Sequence, residues 1–181
     1  GGGRRCRSRW LVAGGSVRGG GTGPGWTRRI KSEGVMVVSC ATAWDFWGSV
    51  RSTSLDAGRV SWQTLLVEDG EPAKTLTETE QAAEQLVALG ADRSSILVAF
   101  GGGVVGDLTG FIAAIYMRGI PFVQIPTTLL AQVDARIGGK TGVNLTSGKK
   151  LIGSFNQTQV VLVDPLLLTT LPDREFSAGL L

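Results

Sequence analysis

The 181-residue chain predicts a mostly parallel α/β sheet with flanking helices, and three observations carry that prediction. Short apolar runs, Val35-Met36-Val37-Val38-Ser39, Ile96-Leu97-Val98-Ala99-Phe100 and Val160-Val161-Leu162-Val163, have strand length and no polar alternation, as in strands buried on both faces. Stretches with helical spacing separate them, and that alternation marks parallel strands joined by crossover helices. A glycine-rich turn, Gly101-Gly102-Gly103-Val104-Val105-Gly106-Asp107, directly follows the Ile96 to Phe100 run. Glycines let a backbone approach a phosphate closely, and a helix starting there turns its N–H groups and positive dipole end toward the anion.

In chain order, Val35 to Ser39 is the first buried strand and Ala41 to Val50 the turn and helix after it, with Trp44, Phe46 and Trp47 as core residues. Trp62 to Val67 is a second strand. Thr77-Glu78-Thr79-Glu80 reads as a capping box before a helix whose Ala83, Leu86 and Val87 share one face and which Gly90 ends. Ile96 to Phe100 is the central strand, and Val104 to Met117 is a mostly apolar helix too short to cross a membrane. Pro121 to Ile125 makes another strand. Leu129 to Lys150, interrupted by glycines, predicts helical turns and loops over the site. Val160 to Asp164 is the last strand and Pro165 to Leu168 a short helix. Ligands in such sheets sit beyond the carboxyl ends of the strands, where the glycine turns fall.

A hydrophobic content of 43% suffices for one domain with a real core. The net charge of +3 hides a division, because Gly1 to Gly34 carries 8 Lys/Arg against 1 acid, which leaves 10 bases and 14 acids in the remainder. That leader also holds 11 of the 27 glycines and lacks hydrophobic periodicity, so it is expected to be poorly ordered. Its functional reading is an RNA-binding arm with Trp10 and Trp26 for stacking; the composition favours an artefact of gene prediction or frameshift. Leu11-Val12-Ala13 is too short for a signal-peptide core, and no apolar run approaches the roughly 20 residues of a membrane span. Cys6 and Cys40 give neither a disulfide framework nor a zinc spacing, which makes an inert thiol in a reduced cytoplasm the default. No histidine is present, so no Ser-His-Asp or Cys-His site can form.

Candidate site residues cluster after the strands. Asp69, Gly70, Glu71 and Lys74 follow Trp62 to Val67, where a carboxylate can accept from ribose hydroxyls or can simply be a solvated acidic turn. Gly103, Val104, Val105, Gly106 and Asp107 suit a pyrophosphate, with Asp107 on a ribose hydroxyl or acting only as a first-turn helix charge. Pro126 sets two hydroxyls, Thr127 and Thr128, at a strand end, where structural caps are the alternative. Lys140 and Lys149 flank a loop carrying Asn144, and two ammonium groups suit a substrate bearing carboxylate and phosphate.

From about Val35 to Leu181 the chain resembles the 3-dehydroquinate synthase family. The resemblance rests on Asp69 to Lys74, Gly101 to Asp107, Tyr116-Met117-Arg118-Gly119, Ile125 to Leu129, Gln132-Val133-Asp134, Gly138 to Asn144, Gly148 to Gly153 and Thr170 to Glu175. The glycine turn is shared with other sugar-phosphate cyclases and with iron-type alcohol and glycerol dehydrogenases, whereas Gly138-Gly139-Lys140-Thr141-Gly142-Val143-Asn144 favours the synthase. The resemblance implies a Rossmann-like N-terminal domain over residues 35–176, which binds NAD. Asp69, Glu71 and Lys74 would lie at its adenosine part, Gly103 to Asp107 at the pyrophosphate, and Thr127, Thr128, Leu167, Leu168, Thr169 and Thr170 elsewhere along it. Asp134 and Lys140 would bind ring hydroxyls of a sugar phosphate, Lys149 would contact cofactor or substrate, and Arg118 would reach the phosphate across a homodimer interface.

Three departures stand out: Lys150 where the family has Asn, Leu145 where it often has His, and Ala135-Arg136 where it often has Ser-Ser. Lys150 offers only donors and a charge where Asn offers a donor and an acceptor. The resemblance places the zinc or cobalt ligands in a helical C-terminal domain of which residues 177–181 are only the start, so no metal ligand is expected here. It implies conversion of 3-deoxy-arabino-heptulosonate 7-phosphate to 3-dehydroquinate and phosphate, with this chain inactive alone. The alternatives are another cyclase or polyol enzyme of the same fold, or a stand-alone NAD-binding remnant. Neither a nucleic acid nor a membrane is an expected partner.

Overall fold

The computed structural model describes residues 34–48, 61–134 and 139–172, with the backbone alone for 11–13 and for Lys150. Five strands pair in parallel: β2 (Val35–Cys40), β3 (Trp62–Val67), β4 (Ile96–Gly101), β5 (Phe122–Pro126) and β8 (Val160–Val163). A short β1 (Leu11–Ala13) lies antiparallel to β8 and gives the order β1-β8-β5-β4-β2-β3. Within the leader expected to be poorly ordered, residues 11–13 thus add a short strand at the sheet edge. Its residues 1–10 and 14–33, and the expected domain start at 177–181, lie outside the described residues.

Residues 41–48 form helix α1, and α2 (Leu76–Ala88) and α3 (Gly103–Ile115) cross between parallel strands. The start of α2 departs from the sequence expectation: Thr75, not Thr77, is the N-cap, extended at φ −128° and accepting from the Glu78 amide at 3.0 Å. Glu78 does not close a capping box, because its carboxylate accepts from the Glu68 amide at 3.1 Å. The face that α2 buries is Thr79, Ala82 and Leu86, with Ala83 half-buried and Val87 60% exposed. Likewise Trp44 and Trp47 are half-buried, whereas Phe46 faces outward at 56%.

The sheet separates two apolar layers. On one side Leu65, Leu86, Leu97, Leu108, Ile112 and Phe122 pack under α2 and α3. On the other, Val37, Val98, Phe100, Ile125, Leu162 and Leu167 pack under Trp44 and Trp47. After the short α4 (Leu129–Asp134), the segment expected as loops is instead an antiparallel ribbon, β6 (Lys140–Leu145) and β7 (Gly148–Phe155). Its glycines, read as breakers, are what allow it: Gly142 faces Gly153 across the ribbon, and a Cβ on either would strike the opposite backbone. Gly110 of α3 does the same for packing, since a Cβ there would strike Thr141 of β6 and lie 3.1 Å from Phe122. The ribbon thereby seats Val143, fully buried, against the helix layer.

Candidate functional site

The head of α3 lies at the carboxyl end of β4. Its N-cap, Gly102, offers no side-chain oxygen to the first-turn N–H groups, and a Cβ built on Gly103 meets nothing within 4 Å. A helix of 13 residues with an uncapped start and open space over its first residue can serve as an anion cradle, one that a side chain would fill. The strand end Thr127-Thr128 sits against it: the Thr127 amide donates to the Gly101 carbonyl at 2.9 Å, and a Cβ on Gly102 would lie 3.2 Å from the Thr128 methyl. Thr128 also caps α4 by accepting from the Ala131 amide at 3.2 Å. That contact is the structural cap the sequence offered as the alternative for Thr128.

Beside the cradle the predicted polar residues form one network. Lys74, only 11% exposed in its side chain, reaches the Asp107 carboxylate of α3 at 2.6 Å, and Glu71 lies 3.9 Å from the same ammonium. Glu71 accepts from the Asn144 amide at 2.8 Å and lies 3.7 Å from the Lys149 ammonium. The Asn144 hydrogen bond, then Lys74 and Lys149, hold the Glu71 carboxyl below the usual range. By sequence Asn144 is only a loop residue; the structure makes it the bridge from ribbon to turn.

Asp69 takes a different neighbourhood at the end of β3. Its carboxylate accepts from the Thr42 hydroxyl at 3.0 Å and, with the Cys40 hydrogen bond as the leading cause, its pKa is lowered. Burial, and then Asp69, push the Cys40 thiol up to about 11, so it stays protonated at neutral pH, as an inert thiol should. Cys6 lies outside the described residues.

Other expected site residues do not converge. Lys140, exposed, pairs with Phe155 at the far end of the ribbon, about 13 Å of strand from the Asn144 level where Lys149 stands. Asp134 ends α4 exposed, next to residues 135–138, which include the Ala135-Arg136 departure and lie outside the described residues. Arg118 sits at the opposite end of the sheet, because the 13 residues of α3 carry the chain roughly 20 Å away from the cradle. It follows Met117 at φ 49° and itself has φ 70°, two left-handed non-glycine residues in a row.

The last predicted segment forms a 3-10 turn, Pro165–Thr170. Leu167 is 1% exposed and belongs to the core, so its side chain presents nothing to a ligand; Leu168 is half-buried. The Thr169 hydroxyl donates to the Leu166 carbonyl at 2.7 Å, and Thr170 accepts from the Trp47 ring N–H at 2.9 Å. Gln132 lies in one of the matching motifs, yet nothing in the sequence gives it a task. It is buried and donates to the carbonyls of Pro126 at 3.2 Å and Asp164 at 3.1 Å, tying two strand ends at the site.

An open parallel sheet with an uncapped glycine-rich helix start at its carboxyl edge defines a Rossmann-like α/β domain of the nucleotide-binding class. Residues 64–178 match the model of the 3-dehydroquinate synthase N-terminal domain. The chain is 55% identical over 150 residues to the 3-dehydroquinate synthase of Solibacter usitatus, covering 83% of this chain and 42% of that protein. It is 49% identical over 150 residues to that of Koribacter versatilis, covering 83% and 41%. Thus the chain belongs to the 3-dehydroquinate synthase family, a family of lyases. It spans about two-fifths of the length of these relatives.

Solved structures agree. The 2-epi-5-epi-valiolone synthase of Streptomyces hygroscopicus, with NAD+ and Zn2+ bound, superposes with a TM-score of 0.80 at 32% identity, over 87% of this chain and 44% of that one. A 2-deoxy-scyllo-inosose synthase complexed with carbaglucose-6-phosphate, NAD+ and Co2+ gives 0.75 at 33%, over 84% and 42%. An iron-containing alcohol dehydrogenase at 18% identity shares the fold. Among the described residues no group of three His, Cys, Asp or Glu could hold a metal, and no helix is long and apolar enough to cross a membrane.

Proposed function

We propose that the chain is the NAD-holding half of a 3-dehydroquinate synthase, acting on 3-deoxy-arabino-heptulosonate 7-phosphate in the shikimate route to aromatic amino acids. The observation that carries this is the uncapped start of α3 with open space over Gly103, adjoining the Lys74–Asp107 pair. The names of the relatives and the NAD+ held by the related cyclases support it. Identity of 55% to a named synthase against 33% to the inosose synthase favours the synthase over another cyclase.

When bound, NAD would supply reversible oxidation of a ring carbinol, in which the carbon gives up a hydride and its hydroxyl a proton; the ketone so formed acidifies the adjacent C–H, which lets phosphate leave before the ketone is reduced again. The chain's own residues bind and orient. The first-turn amides of α3 offset the pyrophosphate charge. The Lys74 ammonium fixes one oxygen of Asp107, leaving the other to accept from a ribose hydroxyl. Asp69 and Glu71, both held ionised by their donors, present acceptors to the adenosine end. Lys140 and Asp134 would meet ring hydroxyls, and Lys149 the cofactor or substrate. Arg118, too far from its own cradle, would serve the site of a second copy in a homodimer. The metal ligands are not among the described residues, and the sequence has no histidine, so no step is assigned to a metal on this chain.

Replacing Gly103 with Val tests the cradle. The isopropyl group enters space that the protein leaves open, so the fold should persist while NAD affinity drops by about tenfold or more, roughly 1.4 kcal/mol. Equal affinities by calorimetry would reject the placement. Supplied with NAD, zinc and substrate, the 181-residue polypeptide should release phosphate no faster than background. NAD-dependent release above background would sink the reading that the metal half lies elsewhere.

A further inference from the structure

The ladder of the ribbon is irregular at one place. Val143 pairs with Ile152 and Leu145 with Gly148, so Asn144 alone faces Lys149, Lys150 and Leu151. Such irregularities free a residue from the ladder and re-aim it. Asn144 turns its backbone and its side chain to a single neighbour segment: its backbone N–H goes to the Lys74 carbonyl at 2.7 Å, and its side-chain amide to Glu71 Oε1 at 2.8 Å. Lys74 in turn holds Asp107 of α3. One asparagine thus joins the ribbon, the Glu71 to Lys74 turn and, through Lys74, the first turns of α3.

The Asn144 hydrogen bond and the ion-pair distances to Lys74 and Lys149 all fall on Glu71 Oε1. A carboxylate has a second oxygen, Oε2, that can accept from another donor. We propose that Asn144 is a positioning residue of the dinucleotide site, setting the Glu71 carboxylate by its side chain and the Lys74 backbone by its N–H so that both are arranged before the cofactor arrives. The proposal rests on the NAD reading above. Preorganisation of this kind raises affinity by lowering the ordering cost of binding.

A charge test separates this role from mere folding. Asn144→Asp sets a carboxylate against Glu71, whereas in a Glu71→Gln background the amide and carboxylate have only exchanged places. NAD calorimetry on the 181-residue polypeptide should show Asn144→Asp costing about tenfold in affinity with Glu71 present and less than about threefold in the Glu71→Gln background. Thermal melts of the unliganded proteins check that all variants fold. Equal costs in the two backgrounds, or no cost in either, would overturn the inference while leaving the NAD reading standing. If the wild-type chain itself shows no binding at millimolar NAD, the NAD reading falls and this inference with it.

Discussion

The cradle at the head of α3 and the ribbon that walls it adjoin each other but are held in different ways. The cradle rests on β4 and β5, where Phe100 and Phe122 are each 1% exposed, and on α3, where Leu108 and Ile112 are fully buried. The ribbon buries Val143 but shows Leu151 at 62% and Phe155 at 81%, and its polar link to the Glu71 to Lys74 turn runs through Asn144, Glu71, Lys74 and Lys149. Burial is insensitive to pH and salt, while a half-exposed polar junction depends on each partner and on its charge. The floor is therefore fixed by many small contacts and the wall by a few separable ones.

Removing the floor should do the most damage. Phe122→Ala deletes a buried ring between α3 and the sheet, and is expected to cost about 3–5 kcal/mol, read as a lower urea midpoint at unchanged m-value. A loss below about 1 kcal/mol would mean the floor is not held by packing. Cutting the bond between the two regions ranks second. Lys74→Met leaves Asp107 without its 2.6 Å partner, and an expected cost of about 1–2 kcal/mol falls between exposed and buried pairs. Suppression of that cost by Asp107→Asn would show that it arises from the stranded carboxylate.

Acid should produce the smallest effect, and at the wall it acts through Glu71. Glu71 has a folded pKa below its ordinary value of 4.5, with Asn144 the leading cause. Its stabilising contribution is thus complete above that ordinary value and is lost as pH falls through the lowered folded one. Amide exchange at Asn144 should lose protection over that acid range while β4 amides keep theirs, and Glu71→Gln should flatten the change. Simultaneous loss in both regions would erase the distinction between floor and wall.

Much of this was legible in the sequence for a plain reason. Buried strands such as Ile96 to Phe100 must be apolar on both faces, and a close turn from strand into helix favours glycine, so composition alone marks both. Asp69, Glu71, Lys74 and Asp107 could be proposed because each follows a strand or opens a helix. Their partners could not be read: Lys74 and Asp107 are 33 residues apart, and Glu71 and Asn144 are 73 apart, and no local pattern encodes which side chains meet. The glycines of the 140–153 segment illustrate the limit best. Locally they weaken strand propensity, which is why loops were expected. In the fold, close approach of β6, β7 and α3 leaves no room for a Cβ at Gly110, Gly142 or Gly153, so the same residues allow a ribbon. Similarly, Arg118 was expected to act across a dimer interface, and the length of α3 puts it at the end of the sheet away from its own chain's Gly103. The sequence by itself determined the parallel strands of the sheet, the glycine-rich start of α3 and the absence of histidine. Only the tertiary structure decided which charged groups pair across the cradle, because long-range pairing is set by how helices and ribbon pack, not by neighbours in the chain.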